Sequence, residues 1–229
     1  MAGRRLKLGW TILGASVLGV SLWFGAPPAL SGLTFFRVRR VEIAGLQYLD
    51  PAKVIGALKL GPRASVFDDA APLARRIAAM PGVDAATVAR RLPGTLQVGL
   101  VERMPVALAR RNDGLAMLDR RGRVLPYDPL RSAPDLPLAV YGDVAVSGVL
   151  ARIREVDPEL FARIGAAWRV GADVVLEVGG RRLWFGAQVS AEDIRAVTAV
   201  EQALARSGRS YQELDGRFAG QVIVRRTPA

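Results

Sequence analysis

The feature that most constrains this chain is an uncharged run of nineteen residues near its start, from Leu8 to Ala26. Basic residues precede the run and Pro27-Pro28 follow it. A helix of nineteen residues is about 28 Å long, close to the thickness of a hydrocarbon core. Basic flanks remain in the cytoplasm. The pattern therefore predicts a short cytoplasmic tail at residues 1–7, a transmembrane helix at residues 8–28 and export of the remainder.

A cleaved signal peptide is the alternative interpretation of the same segment. Ala29-Leu30-Ser31 before Gly32 would serve as its small-residue cleavage site. The apolar region of a signal peptide usually spans only about 7–15 residues. Because this run is longer, we expect an uncleaved anchor. Either interpretation exports the bulk of the chain.

The composition excludes several classes of chemistry. The chain has neither cysteine nor histidine, which removes Cys/His zinc sites, haem-His ligation, thiol nucleophiles and Ser-His-Asp triads. Its formal net charge is +11, but the arginines are scattered and aromatic residues do not interleave with them as a stacking platform requires. We therefore expect no nucleic acid partner, and any enzyme of this composition would have to use carboxylates, Lys, Ser, Thr or Tyr.

Residues 36–104 predict a module with the order strand–helix–helix–strand–strand. Asp50-Pro51 is typical of a helix start, and Asp68 or Asp69 caps the second helix. Strands are predicted at Val83–Arg91 and Thr95–Glu102, on either side of the turn at Pro93-Gly94. Glu102 beside Arg103 predicts a surface ion pair.

Residues 105–227 predict a mostly antiparallel β-domain with packed helices. Gly179-Gly180 and Asn112-Asp113-Gly114 indicate hairpins. A helical stretch is expected around Val149–Phe161, interrupted at Asp157-Pro158, and Ser190 with Asp193 approximates a capping box for another helix. The final strand pair is expected to turn at or near Asp215-Gly216. Together the two modules predict an α+β fold behind a single transmembrane helix.

Four short motifs occur along the chain in an order that is hard to obtain by chance. They are Val41-Glu42-Ile43-x-Gly45, Val88-x-Arg90-Arg91-x-Pro93, Val101-Glu102-Arg103-x-Pro105-Val106-Ala107 and Asp215-x-Arg217-Phe218-x-Gly220. The first three resemble the POTRA domain of the FtsQ/DivIB family of bacterial cell-division proteins, and the last resembles that family's ending. Gly216 departs from the family pattern, which has an apolar residue there, and this puts the local strand register in doubt.

The resemblance implies a non-enzymatic bitopic scaffold of the divisome that links early and late division proteins at the septum. It also implies that the chain has no cofactor, no metal and no small-molecule substrate. Implied partners are FtsB and FtsL, with FtsK, FtsW and FtsI as further contacts. Binding would occur by strand addition. The FtsB-type site would comprise Phe218, Ala219, Gly220, Gln221 and Val222, and Val88 with Arg90 would be a weaker site for an upstream partner. The implied location is the cytoplasmic (inner) membrane, single-pass type II, enriched at the septum.

Two other functions stay open at this point. A POTRA-containing exported protein could act in outer-membrane protein biogenesis, an interpretation that a cleaved signal would favour. An exported hydrolase could use the acidic pairs Asp68-Asp69 and Glu192-Asp193. Each pair lies where a helix is predicted to begin, and capping with the helix dipole explains negative charge there.

Overall fold

A computed structural model describes residues 34–112, 114–132, 135–218 and 220–226 of the chain. The predicted transmembrane helix at residues 8–28 lies outside the described residues. Within the described ranges, no helix is both long enough and apolar enough to cross a membrane. The chain divides into two compact units, Met1–Glu102 and Arg103–Ala229.

The first unit has the predicted order of elements. It consists of β1 (Arg40–Ala44), α1 (Pro51–Leu58), α2 (Ala70–Ala78), β2 (Val83–Arg91) and β3 (Thr95–Glu102). The three strands form a sheet in the order β1-β3-β2. β1 is parallel to β3, and β2 is antiparallel to it. The central position of β3 leaves β1 and β2 as the two edges of this sheet.

Local chemistry starts both helices of this unit. The Asp50 side chain accepts a hydrogen bond from the Ala52 amide, and Pro51 occupies the first turn of α1. Asp69 accepts from the Ala71 amide and caps α2. Each cap satisfies an amide that the helix itself leaves without a partner. The core of the unit is formed by apolar side chains of the helices and of β3, namely Val54, Leu58, Leu73, Ile77, Leu96, Val98 and Leu100.

The prediction for Glu102 was wrong. Its side chain is buried, with 7% of the residue exposed. The carboxylate accepts hydrogen bonds from the backbone amides of Gln47, Tyr48 and Leu49 at 3.2, 2.7 and 2.8 Å. Glu102 therefore ties the end of β3 to the loop that leads into α1. The prediction failed because the three donors come from residues more than 50 positions away in the sequence.

The second unit contains one large sheet and its packed helices. Its elements are β4 (Ala107–Arg111), β5 (Gly114–Leu118), α3 (Pro129–Ser132), β6 (Leu138–Ala139), α4 (Val144–Val156), α5 (Pro158–Ala162), β7 (Ile164–Val170), β8 (Asp173–Val178), β9 (Arg181–Gly186), α6 (Ala191–Arg206), β10 (Glu213–Phe218) and β11 (Gln221–Arg225). The eight strands lie in the order β11-β10-β9-β8-β7-β6-β4-β5. Antiparallel pairs predominate, while β4–β6, β6–β7 and β9–β10 are parallel. The unit is thus a C-terminal β-sheet in an α+β chain.

The helices of this unit share one continuous core with the sheet. Buried residues of α4 and α6, such as Leu150, Ile153, Ile194 and Val197, belong to the same cluster as Leu176 of β8. The capping box predicted for α6 is present, because Ser190 and Asp193 each bond the other's backbone amide. The helices and the inner side chains of the strands therefore stabilise one another.

Two predictions about this unit require correction. The helix expected around Val149–Phe161 begins earlier, at Val144, because Asp143 caps it by accepting from the amides of Ala145 and Val146. The predicted interruption at Asp157-Pro158 is confirmed, because the helix ends at Val156 and Pro158 begins α5. The strand β7 was not predicted at all.

The predicted turn at Asp215-Gly216 was also misplaced. Both residues lie inside β10, and the chain reverses after Phe218. Phe218 pairs with Gln221, and Gly220 has a φ of +73°. A positive φ is easily adopted only by glycine, so the tight reversal falls where Gly220 permits it.

Candidate partner-binding edge

Strand β11 forms one edge of the eight-stranded sheet. It pairs with β10 on its inner side, and no other described strand pairs with its outer side. The Arg225 carbonyl accepts a hydrogen bond from the Gln212 amide, so the main chain of Arg225 faces β10. Successive residues of a strand point their main-chain groups to opposite sides. The N–H and C=O groups of Val222 and Val224 therefore face the open edge.

The residues predicted for the FtsB-type site lie around this edge. Phe218 ends β10 with 49% of its surface exposed. Gln221 is exposed, whereas Val222 is half-buried and packs against the core. Gly220 lies in the turn between the two strands. Ala219 lies outside the described residues.

Phe218 and Val222, both predicted for the FtsB-type site, differ in how they pack. The structure separates them: Val222 contributes to the core, and Phe218 presents an aromatic surface to solvent. Ile223 is also 43% exposed and pairs with Asp215 across the hairpin. The edge thus combines open main-chain groups with two exposed apolar side chains, which is what strand addition requires.

Gly216 is explained by the packing of α6 against β10. An ideal Cβ built on Gly216 would lie only 2.4 Å from Cγ2 of Val197 and 3.5 Å from Cε1 of Phe185. Val197 and Phe185 are both fully buried. The departure from the family pattern is therefore matched by a close approach of helix α6 to this strand.

An ion-pair cluster lies on the face of the sheet that points away from α6, and it connects the strands next to the edge. The Arg217 guanidinium donates to both carboxylate oxygens of Asp215 and to Asp173 of β8. Arg225 of the edge strand also lies 3.5 Å from Asp215. Arg217 stacks over the ring of Trp184, with 5.0 Å to the ring centroid. The cluster joins β8, β9, β10 and β11, so it stiffens the support of the open edge.

This cluster shifts the protonation equilibria of its members. Hydrogen bonds from the Arg217 side chain lower the pKa of Asp215, although burial acts in the opposite direction. The carboxylates of Asp215 and Asp173 in turn raise the pKa of Arg217. Both groups therefore remain charged at neutral pH.

This cluster was not predicted from the sequence. Asp215 and Arg217 were quoted only as part of a motif, although their spacing of two residues places them on one face of a strand. Once Gly216 is assigned to a strand instead of a turn, that spacing predicts a local ion pair. The contribution of Asp173, from a strand 44 residues apart in sequence, has no local signal.

A second ion-pair row runs across the same strands. Glu213 of β10 lies between Arg182 of β9 and Arg225 of β11, at 3.5 and 3.2 Å. The pairing register places Glu213 opposite both arginines. These pairs are partly exposed and individually contribute little. Basic, acidic and basic side chains thus follow one another across β9, β10 and β11, up to the edge strand.

The weaker predicted site lies in the first unit, on the edge strand β2. Val88 is half-buried and pairs with Val98, and Arg90 is exposed and pairs with Leu96. Helix α2 packs against β2. Val88 and Arg90 belong to a different unit from the residues of β11, so they form a separate candidate surface.

Three of the four acidic residues considered for hydrolysis have a structural role close by in the sequence. Asp69 and Asp193 cap helices, and Asp68 accepts a hydrogen bond from the Ser65 amide. Among the described residues, no group of three or more acidic side chains is arranged to hold a metal ion.

Comparison with known proteins finds relatives of this chain by sequence. Residues 36–103 match the family model described as a POTRA domain, FtsQ-type. The cell division protein FtsQ of Rhodothermus marinus is 30% identical over 217 residues, which cover 82% of this chain and 77% of the relative. That of Corynebacterium glutamicum is 27% identical over 223 residues, covering 90% and 92%.

A solved structure with similarity is the major extracytoplasmic domain of the cell division protein DivIB from Geobacillus stearothermophilus. The TM-score is 0.34 at 18% identity, and the match covers 46% of this chain and 96% of that structure. The assignment rests on the sequence matches, which place the chain among POTRA-domain proteins. Within that class, the chain belongs to the FtsQ family of cell-division proteins.

Proposed function

We propose that this chain is a non-enzymatic, membrane-anchored scaffold of the divisome. It links early and late division proteins at the septum through contacts made outside the cytoplasm. The proposed organisation is a tail at residues 1–7, a membrane span at 8–28, a POTRA domain at 36–104 and a β-domain at 105–227. The protein is held in the cytoplasmic (inner) membrane with its bulk on the far side.

The open edge of β11 is the observation that carries the proposal. An FtsB-type partner adds a strand along this edge and bonds the outward main-chain groups of Val222 and Val224. Phe218 and Ile223 supply exposed apolar surface beside the added strand. FtsL joins with FtsB, and FtsK, FtsW and FtsI are further contacts. The edge of β2 around Val88 and Arg90 is the proposed surface for an upstream partner.

The main-chain direction of β11 gives a sharp test of strand addition. Val222→Pro removes an N–H that faces the open edge and leaves the hydrogen bonds to β10 in place. Proline is tolerated on edge strands at such positions, because no ladder bond is lost. We expect full-length Val222→Pro protein to lose capture of purified FtsB and to keep the thermal melting of the wild type within a few degrees.

Two matched variants separate the main chain from the side chain. Val222→Ala trims the same side chain but keeps the N–H, so it should retain capture. Ile223→Pro removes a main-chain N–H that faces β10 and should lower the melting temperature. Gly220→Pro is less informative, because a φ of +73° is closed to proline and the whole turn would distort. Normal capture by Val222→Pro would refute binding at this edge.

A further inference from the structure

One end of the sheet in the first unit carries a cluster of four arginines, of which the proposed function uses only Arg90. We propose that this end of the POTRA domain docks onto anionic phospholipid headgroups of the membrane that anchors the chain. The cluster comprises Arg39, Arg40, Arg90 and Arg91, all of them exposed. The proposal rests on the membrane span in the proposed function, but on none of the protein partners.

Strand register brings these arginines together. Arg40 at the start of β1 and Arg91 at the end of β2 are both paired with Thr95 of the central strand. Neighbouring strands lie about 4.8 Å apart, so the Cα atoms of Arg40 and Arg91 are about 10 Å apart. The Gly94 carbonyl accepts from the amides of Arg39 and Arg40, which closes this end of the sheet.

The cluster keeps most of its positive charge. Glu42 lies 3.3 Å from Arg91 and 4.0 Å from Arg40, so it offsets one charge among the four. Guanidinium groups bind phosphate oxygens through paired hydrogen bonds. An excess of arginine at one end of a small domain is therefore complementary to a phosphate-rich surface.

Exposed apolar side chains flank the arginines. Phe35 is 59% exposed and Leu92 is 60% exposed. Phe35 packs edge-on against Phe36. The Arg39 guanidinium lies 5.9 Å from the ring centroid of Phe35. Aromatic and aliphatic side chains beside basic groups are typical of surfaces that enter the headgroup region of a bilayer.

The position of this end along the chain selects lipid over other anionic partners. The described residues begin at Thr34, and the predicted span ends at residue 28. Six residues extend at most about 20 Å. Strand β1 starts at Arg40, so the chain enters the sheet at the arginine end. That end must therefore stay within reach of the bilayer surface.

The absence of cysteine from the chain allows a single-site fluorescence test in the full-length protein. Ala89 and Ala85 are both exposed residues of β2 on the same face, about 13 Å apart along the strand. Ala89→Cys lies near the arginines and Ala85→Cys towards the opposite end. Each variant is labelled with one dye and reconstituted into nanodiscs whose lipids carry a quencher.

We expect stronger quenching at position 89 than at 85 in nanodiscs that contain phosphatidylglycerol, and no difference in phosphatidylcholine alone. Each basic residue near an anionic surface strengthens binding about fivefold. Arg90→Gln with Arg91→Gln should thus lower the ratio of docked to undocked domain about 30-fold. Arg169→Gln with Arg209→Gln, exposed positions of the second unit, removes the same charge and should change nothing.

Equal quenching at both positions, or quenching that does not depend on phosphatidylglycerol, would overturn the proposal. An acidic protein would then be the better candidate partner of the cluster. An equal effect of the control pair would overturn it too, since net charge alone would then explain binding. Flotation separates these results from a failure of the anchor. A chain that does not float with lipid would refute the membrane span and, with it, this docking.

Discussion

Gly216 offers a direct test of how α6 packs on the strand next to the open edge. In Gly216→Ala, the new methyl group would meet Cγ2 of Val197 at 2.4 Å, far inside van der Waals contact. Val197 is fully buried and, as a β-branched residue in a helix, is confined largely to one rotamer. The clash must therefore be relieved by a shift of α6 or of β10.

The expected cost follows from two opposing effects. Overpacking a well-packed core costs about 1–3 kcal/mol. Replacing glycine by alanine restricts the unfolded chain and returns about 0.5–1 kcal/mol. We expect Gly216→Ala to lower the free energy of unfolding of the second unit by about 1–2 kcal/mol. Val197→Ala alone should also destabilise, because it leaves a cavity.

The double variant decides whether the clash is the cause. Val197→Ala removes the methyl group that the alanine at 216 would meet, so the double variant should be more stable than additivity predicts by at least 1 kcal/mol. Urea unfolding can be followed by Trp168 and Trp184, which lie in the second unit, after Trp10 and Trp23 are replaced by phenylalanine. A stable Gly216→Ala protein, or strict additivity, would refute the packing argument.

Three further predictions concern buried carboxylates. Glu102→Ala should destabilise the first unit by about 3 kcal/mol, because three backbone amides lose a charged acceptor; Glu102→Gln should cost less, and urea titration of both variants checks the order. Asp215→Asn should cost about 2–3 kcal/mol at neutral pH. Because the pKa of Asp215 is lowered in the folded state, its contribution is present above the unfolded pKa of about 3.9 and is lost as pH falls through the folded pKa. The stability difference from wild type should therefore shrink on acidification, and a constant difference would contradict it. Tyr211→Phe should cost about 1 kcal/mol, because the Tyr211 hydroxyl donates a hydrogen bond to Glu201 at 2.9 Å. Arg163 bonds the same carboxylate and would remain in place. Thermal melting of this variant and of the wild type checks the prediction.

Elements whose ends are set by contacts between residues close together in the sequence were predictable. Asp50-Pro51, Asp69 and the Ser190–Asp193 box start helices through contacts that span two or three residues. The two strands Val83–Arg91 and Thr95–Glu102 have the predicted bounds. In each case the determining interaction lies within the segment, so a single sequence contains it.

Elements decided by distant neighbours were not predictable. Strand β7 reads Ile-Gly-Ala-Ala-Trp-Arg-Val, with small residues where alternating β-branched side chains would be expected; it becomes a strand because β6 and β8 flank it. Gly216 was interpreted as a turn, since glycine favours turns locally. Its role depends on Val197 of another element. Glu102 likewise bonds the Leu49 amide, 53 residues away.

The contrast between the two edges of the large sheet strengthens the argument for β11. At the opposite edge, the second half of β5 is covered by the chain that follows it: the Leu125 amide donates to the Met117 carbonyl, and Leu118 forms a bridge with Val124. Proteins cover or interrupt sheet edges because open edges recruit other strands. In the described chain, β11 has no such cover and ends a sheet whose neighbouring strands are braced by Arg217. An edge whose neighbouring strands are held rigidly, and which is nevertheless left open, is suited to accept a strand from a partner. The Val222→Pro variant tests this interpretation.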